Sequence, residues 1–267
     1  MKRFLFRAGR ILGLTLILTC SPLLQARSLF IEDLTWEEVA VEIANGKTTA
    51  IIFAGSTEQN GPHMVLGKHT FVARYLAERI ASELGDALVY PIFPFAPTGD
   101  AITRTGHMRF PGSVNVSESQ FVAVMHDVAL SAATAGFKNI LLMGDHGGGQ
   151  AALAVLAQTL DAQMSSRGIR VFHIAAVYEP PEATLAIKQR GTLLNPNAHA
   201  GTIDTSTLMA IDPGEHWVRH DLLTKANTTN GAEEDPRDAT VDLGRQILSL
   251  RVSAALVQIR ALMLSRR

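Results

Sequence analysis

The sequence predicts an α/β fold, a three-layer α/β/α sandwich with a mainly parallel sheet. Short apolar runs with strand character alternate along the chain with stretches of helical spacing, the pattern of parallel strands joined by crossover helices. Apolar residues make up 47 % of the 267 positions and charged residues only 18 %, below the ~25 % of an average globular chain. That composition can cover a sheet on both faces. No repeat and no linker-like stretch divides the chain, so residues 27–267 are expected to form a single domain.

Residues 1–26 read as an address. Lys2, Arg3, Arg7 and Arg10 form a basic start, Ile11 to Thr19 an apolar run, and Pro22 breaks it before Leu24-Gln25-Ala26. This is the layout of a secretory signal peptide, with cleavage expected near Ala26. The run is shorter than the ~20 apolar residues of a membrane span. No other stretch is expected to approach that length, so no membrane association is expected after cleavage. Removal takes four positive charges and no acid, moving the net charge from −1 to about −5. It also removes Cys20, the only cysteine. A thiol-free mature chain suits an oxidising compartment such as a bacterial periplasm.

Thr49–Ala54 is a buried strand leading into a Gly-rich turn, 55–68. Phe71–Leu84 follows as a helix, with Val72, Leu76 and Ile80 on one face and Gly85 as its stop. Ala87–Phe93 is a second strand. The Pro- and Gly-rich stretch 94–116 is an active-site loop by length and composition. Ser117 with Gln120 marks a helix start that runs to about Ala135. Asn139–Met143 is the third strand, followed by a glycine cluster and a helix from Gln150. Arg170–Val177 is the fourth. A helix is expected around 203–210, and Val241–Leu264 closes the chain as another. In such sheets ligands sit beyond the carboxyl ends of the strands, so the turns after the first and third strands should meet at one site.

The balance of 24 basic and 25 acidic residues, with no like-charge block of five, gives no nucleic-acid surface. One cysteine excludes a disulfide framework and a Cys-rich zinc module. Any metal must then be held by His, Asp and Glu. Three clusters offer such donors. The first is Gly55-Ser-Thr-Glu58-Gln-Asn60-Gly-Pro-His63-Met-Val-Leu-Gly-Lys-His69-Thr70. Oxygen and nitrogen donors on a stiff turn suit a borderline metal, although an ordinary polar loop would read similarly. The second is Met143-Gly144-Asp145-His146-Gly147-Gly148-Gly149-Gln150. It is neither G-x-G-x-x-G nor a nucleophile elbow, because its centre is His146 and not serine. The third is Asn197-Ala-His199-Ala-Gly201-Thr-Ile-Asp204-Thr-Ser206, in which Asp204 could equally open a helix. His107 lies in the Pro/Gly loop.

These clusters, in this order, resemble the creatininase (creatinine amidohydrolase) family. That family's motifs read approximately G-S-x-E-Q-H-G-P-H-L-P-L-x-T-D-T, N-G-H-G-G-N, H-A-G-x-x-E-T-S and G-D-P-x-x-A-T. Here they stand as GSTEQNGPHMVLGKHT, GDHGGG, HAGTIDTS and EDPRDAT. The resemblance spans about residues 30–250. It implies an α/β/α sandwich, usually a homo-oligomer, that binds one or two divalent ions, zinc or manganese. It also implies hydrolysis of C–N bonds in small cyclic or linear amides, or cleavage of a modified peptide.

Carried over by position, Glu58 and His146 match metal ligands, His199 the catalytic histidine, and Asp204 a glutamate. Asn60 replaces a ligand histidine and His69 a bridging aspartate. Gly144 and Gly149 replace asparagines, and Asp145 replaces a glycine. The exchanges imply a remodelled site. Glu58, His69, His146 and Asp204 are its expected metal ligands, with Asp145 as an alternative carboxylate. His199 and Asp145 are the expected catalytic groups, and His107 and His63 the substrate contacts. The rival reading of the same exchanges is a metal-depleted periplasmic binding protein of the same fold.

Overall fold

The computed structural model describes residues 28–181, 195, 198–212 and 214–264. The expected signal peptide lies outside the described residues. Four strands form the sheet: β1 (Thr49–Ala54), β2 (Ala87–Val89), β3 (Asn139–Gly144) and β4 (Arg170–His173), in the order β2-β1-β3-β4. All three pairings are parallel, with Thr49 opposite both Ala87 and Asn139. Among the described residues the α-helices are α1 (Trp36–Ala44), α2 (Lys68–Leu84), α3 (Glu118–Ala135), α4 (Gln150–Met164), α5 (Thr202–Ile211) and α6 (Val241–Leu264).

Side chains alternate across β1 as the two-residue period of a strand requires. Ile51 and Phe53 face a core shared with Val72, Leu76 and Ile80 of α2 and Leu248, Ala255 and Ile259 of α6. Ala50, Ile52 and Ala54 face Phe121, Met125 and Ala129 of α3 and Leu153, Leu156 and Leu160 of α4. All six β1 residues are buried, which only a sheet covered on both faces achieves. Each buried Ile, Leu or Phe contributes about 1.5–3 kcal/mol of transfer free energy.

The expected strand 87–93 is shorter than its apolar run. Tyr90 still donates to Ile51 and Phe93 to Phe53, but Pro91 between them has no N–H and interrupts the ladder. The fourth strand stops at His173, and the chain turns in a 3-10 helix over Ala175–Val177. Helix α1 was not expected. Thr35 and Glu38 form a reciprocal capping box at its start, a local signal on a helix with no buried residue to mark its apolar face. Helix α6 is, by length and composition, long and apolar enough to cross a membrane, correcting the expectation that only the N-terminus approaches that length. In the fold, its Ile247, Leu248, Ala255 and Ile259 are buried.

The chain leaves β1 toward β2 on one side, then returns past β1 to lay β3 on the other. The carboxyl ends of β1 and β3 therefore flank the point where the connections change direction, the place where open α/β sheets bind ligands.

Candidate active site

Glu58 lies just beyond β1 and is fully buried. Four imidazoles converge on its carboxylate. His146 Nε2 is 2.8 Å from Oε2. On the Oε1 side lie His69 Nε2 at 3.2 Å, His107 Nε2 at 3.6 Å and His199 Nδ1 at 3.8 Å. They arrive from four places: the first turn of α2, the Pro/Gly loop, the glycine turn after β3, and the turn before α5. The histidines line a cleft of about 480 Å³, together with Lys68, Asp145, Tyr178, Asp204 and Arg251.

Backbone geometry brings these turns close. A Cβ on Gly55 would lie 2.7 Å from the Thr70 backbone, so glycine lets the start of α2 approach the end of β1. A Cβ on Gly148 would strike the Pro97 carbonyl and crowd the His146 ring. The Gly148 N–H donates to His146 Nδ1 at 3.0 Å, so the turn orients the imidazole whose other nitrogen meets Glu58.

Hydrogen-bond partners assign the ring protons. His199 Nε2 is 2.8 Å from the Gln59 carbonyl. A carbonyl only accepts, so Nε2 carries the proton and Nδ1 presents a lone pair toward Glu58. Gln59 Oε1 accepts from the Gly61 N–H, and its Nε2 donates to the Gly231 carbonyl. That amide orientation makes Gln59 Nε2 a donor to His107 Nδ1 at 3.0 Å. Neutral His107 therefore presents Nε2–H to the cleft. Burial, aided by the Lys68 charge, pushes His199 down to about 3. Burial also lowers His107. Both rings are neutral at pH 7.

Burial alone would raise the Glu58 carboxyl. The hydrogen bond from His69 and the closeness of the His146 ring outweigh it and hold the group well below the usual carboxylate range. His69 shows the converse. Burial and the Lys68 charge oppose its protonation, but hydrogen bonds to Asp145 and Glu58 prevail and raise it to about 9. Burial near Asp145 and Asp204 pushes the Tyr178 phenol up to about 12, so it remains a donor.

The donor set fits a divalent ion: a carboxylate and imidazoles with no sulfur. Glu58 Oε2 is buried with no aligned hydrogen bond, although His146 Nε2 is close enough for both to share one cation. Glu58, His107 and His199 also form a triad with one donor atom each, all within 4.8 Å of one another. The charges favour a single ion. Asp145 is paired with Arg251 and Asp204 with Lys68, whereas Glu58 is faced by imidazoles.

Of the expected site residues, Glu58, His69, His146, His107 and His199 come together around one carboxylate. Asp145 is buried beside them and accepts the Nδ1–H of His69 at 2.9 Å. Asp204 lines the cleft, but its Oδ2 is taken by Lys68 and the Ala200 N–H, which removes it from the atoms that converge on Glu58. His63 differs more. It is fully buried, does not line the cleft, and its Nε2 meets Thr205 Oγ1 at 2.9 Å, leaving no surface for a substrate. Asn60 spends its amide on the Glu58 and Val65 carbonyls of its own loop.

Sequence reasoning missed Lys68, Gln59, Tyr178 and Arg251. The first two sit inside the first motif, where their neighbours drew the attention. Arg251 had a usable signal, a lone cation on the apolar stripe of α6, four residues from Ile247 and from Ala255. The fourth motif has a structural place. Glu233 accepts the His199 N–H and Glu234 the Thr202 N–H, so this segment braces the turn that carries His199.

Fold and site together define an α/β/α protein with a carboxylate–imidazole centre of the kind metal-dependent hydrolases use. The chain belongs to the creatinine amidohydrolase (creatininase) family, whose profile matches residues 32–259. It is 22 % identical over 193 residues to the creatinine amidohydrolase of Pseudomonas putida, covering 70 % of this chain and 74 % of that one. It is 28 % identical over 192 residues to the mycofactocin precursor peptide peptidase of Mycolicibacterium smegmatis, covering 70 % and 66 %. The chain thus spans about two thirds of that peptidase. A solved mutant creatininase superposes with a TM-score of 0.73 at 20 % identity, covering 89 % of this chain and 100 % of its own. The solved "Creatininase Mn" gives 0.71 at 20 % identity, covering 88 % and 98 %. At these identities the structural likeness establishes the fold.

Proposed function

We propose that this chain is a secreted hydrolase that uses one divalent ion, zinc or manganese, to cleave a C–N bond in a small cyclic or linear amide. The observation that carries the reading is the convergence of four cleft-lining imidazoles on the Glu58 carboxylate buried behind them. Glu58, His69 and His146 would hold the ion. Of the four imidazoles, those of His69 and His146 are the more deeply set, with side chains 8 % and 11 % exposed, whereas His107 and His199 are more open to the cleft, at 23 % and 14 %. Ligation through His69 Nε2 requires release of the proton held there, so acid opposes loading. A bound ion would supply Lewis-acid polarisation of the scissile carbonyl and a lower pKa for a bound water.

The chain's own residues do the rest. With its Nε2–H committed to Gln59, His199 has Nδ1 as its single basic atom, aimed at the cleft. That atom takes a proton from the attacking water and returns it to the leaving nitrogen. The His107 Nε2–H, locked by the Gln59 amide, points where it can donate to the oxygen of the opening carbonyl. Tyr178 contributes a second donor, its O–H, to the wall. The basic, apolar, small-residue layout of residues 1–26 supports export to a periplasm. The family resemblance supports a homo-oligomer and a small-molecule partner.

The test is a screen of the metal-reconstituted mature protein against lactams, hydantoins, creatinine and formamides, following released amine or ring opening. A C-terminally modified peptide is included as a separate arm. Turnover of an amide supports the reading, and turnover of the peptide alone replaces it with a peptidase. Less than about 0.2 equivalents of tightly bound zinc or manganese, with no uptake on titration, would turn the reading to the metal-depleted binding protein.

A further inference from the structure

Among the side chains of α6, Arg251 is directed into the protein and is 9 % exposed. Its Nε donates to the Val177 carbonyl at 2.6 Å, and an Nη donates to Asp145 Oδ1. Asp145 is 4 % exposed, and its other oxygen accepts the Nδ1–H of His69 at 2.9 Å. Across the ring, His69 Nε2 faces Glu58 Oε1 at 3.2 Å. An unbroken buried chain, Arg251–Asp145–His69–Glu58, therefore links the C-terminal helix to the carboxylate behind the cleft histidines.

The fork geometry gives this chain a purpose beyond charge neutralisation. A planar guanidinium gripped by two acceptors on different elements has little freedom to rotate. It fixes the plane of the Asp145 carboxylate, and that carboxylate fixes the plane of the His69 ring. A carboxylate on the far nitrogen of a ligating histidine orients the ring and raises its basicity. Val177 closes the 3-10 turn after β4, so the grip also registers α6 against the sheet edge.

We propose that Arg251 is a positioning residue for the metal centre, acting through Asp145 to aim His69 Nε2 at the ion that Glu58 shares. The inference rests on the metal-centre reading given under Proposed function.

The test is a double-mutant cycle of zinc affinity, measured with a competing chelator on the mature protein, its Arg251→Gln and Asp145→Asn variants, and the double variant. Each single change is expected to weaken binding by about 10–100-fold. The double variant should be no weaker than Asp145→Asn alone, since both act on one ring. Arg251→Lys, which keeps the charge but cannot hold both acceptors, should fall between wild type and Arg251→Gln. Wild-type affinity in Arg251→Gln, or losses that add in the double variant, would overturn the assignment. If Arg251→Gln does not fold, Arg251→Lys and Asp145→Asn complete the cycle. A second readout needs no metal: the His69 Nδ1–H resonance of the metal-free protein should lose its protection from exchange in Arg251→Lys. Unchanged protection would defeat the proposal. A wild-type chain that takes up neither zinc nor manganese would instead defeat the hydrolase reading.

Discussion

The Lys68 ammonium lies 2.5 Å from Asp204 Oδ2, and the same oxygen accepts the Ala200 N–H at 3.0 Å. Ala200 has φ +55°, a left-handed conformation that a non-glycine residue adopts at a cost. The pair thus buckles down the strained turn that presents His199. Lys68 is 2 % exposed and the Asp204 side chain 28 %. Removing one partner of a largely buried pair costs about 3 kcal/mol. Asp204→Ala is expected to lower the unfolding free energy by that order and reduce turnover about 100-fold. Metal content should be unchanged. Loss of bound metal in this variant would return Asp204 to the ligand set.

Two pairs of histidines around Glu58 are candidate ligands for the proposed ion. If His69 and His146 are the ligands, His199→Ala should abolish turnover while metal content persists. Glu58→Ala should lose metal altogether, because it removes the carboxylate on which the imidazoles converge. Elemental analysis of both purified variants decides the matter. Metal missing from His199→Ala would assign the ion to Glu58, His107 and His199.

Gly148 tests how far the backbone of the second cluster sets the site. An added methyl meets the Pro97 carbonyl and lies 2.9 Å from the His146 ring. The Gly148 N–H that orients His146 must then move. Gly148→Ala is expected to lower stability by about 2 kcal/mol, seen in the urea midpoint, and to weaken zinc binding. Wild-type zinc affinity would show that His146 does not depend on the turn.

Periodicity and turn residues made the fold legible. The strands near 49, 87, 139 and 170 and the helices ending at Gly85 and Gly136 follow from apolar spacing and stop signals. Their order placed the Glu58 and His146 turns at one sheet edge. Roles within the site were less legible, because they depend on which partner reaches a side chain from a distant element. Asp204 reads as a ligand until Lys68, 136 residues earlier, is seen to hold it. His63 reads as a substrate contact until α5 covers it with Thr205. Arg251 is 106 residues from Asp145, a separation that no local pattern reports.

His63 gives the protein a specific response to acid. Thr205 Oγ1 donates to the Gly201 carbonyl at 2.8 Å, so it accepts the proton on His63 Nε2. His63 Nδ1 is then buried without a partner. Burial pushes the imidazole down to about 4, against an ordinary value of 6.5. The unfolded chain therefore binds a proton between these values that the folded chain refuses. The stabilisation from neutral His63 is complete above pH 6.5 and is lost as pH falls toward 4, by up to about 3 kcal/mol at 1.36 kcal/mol per unit. His199, pushed down to about 3, acts in the same direction. Urea unfolding of the metal-free protein should thus show a free energy that declines from pH 6.5 to 4. In His63→Gln, which keeps an N–H donor for Thr205 but cannot titrate, the decline should flatten by up to one proton's worth of slope. An equal slope in the two proteins would mean that His63 already takes up its proton in the folded state near pH 6.5.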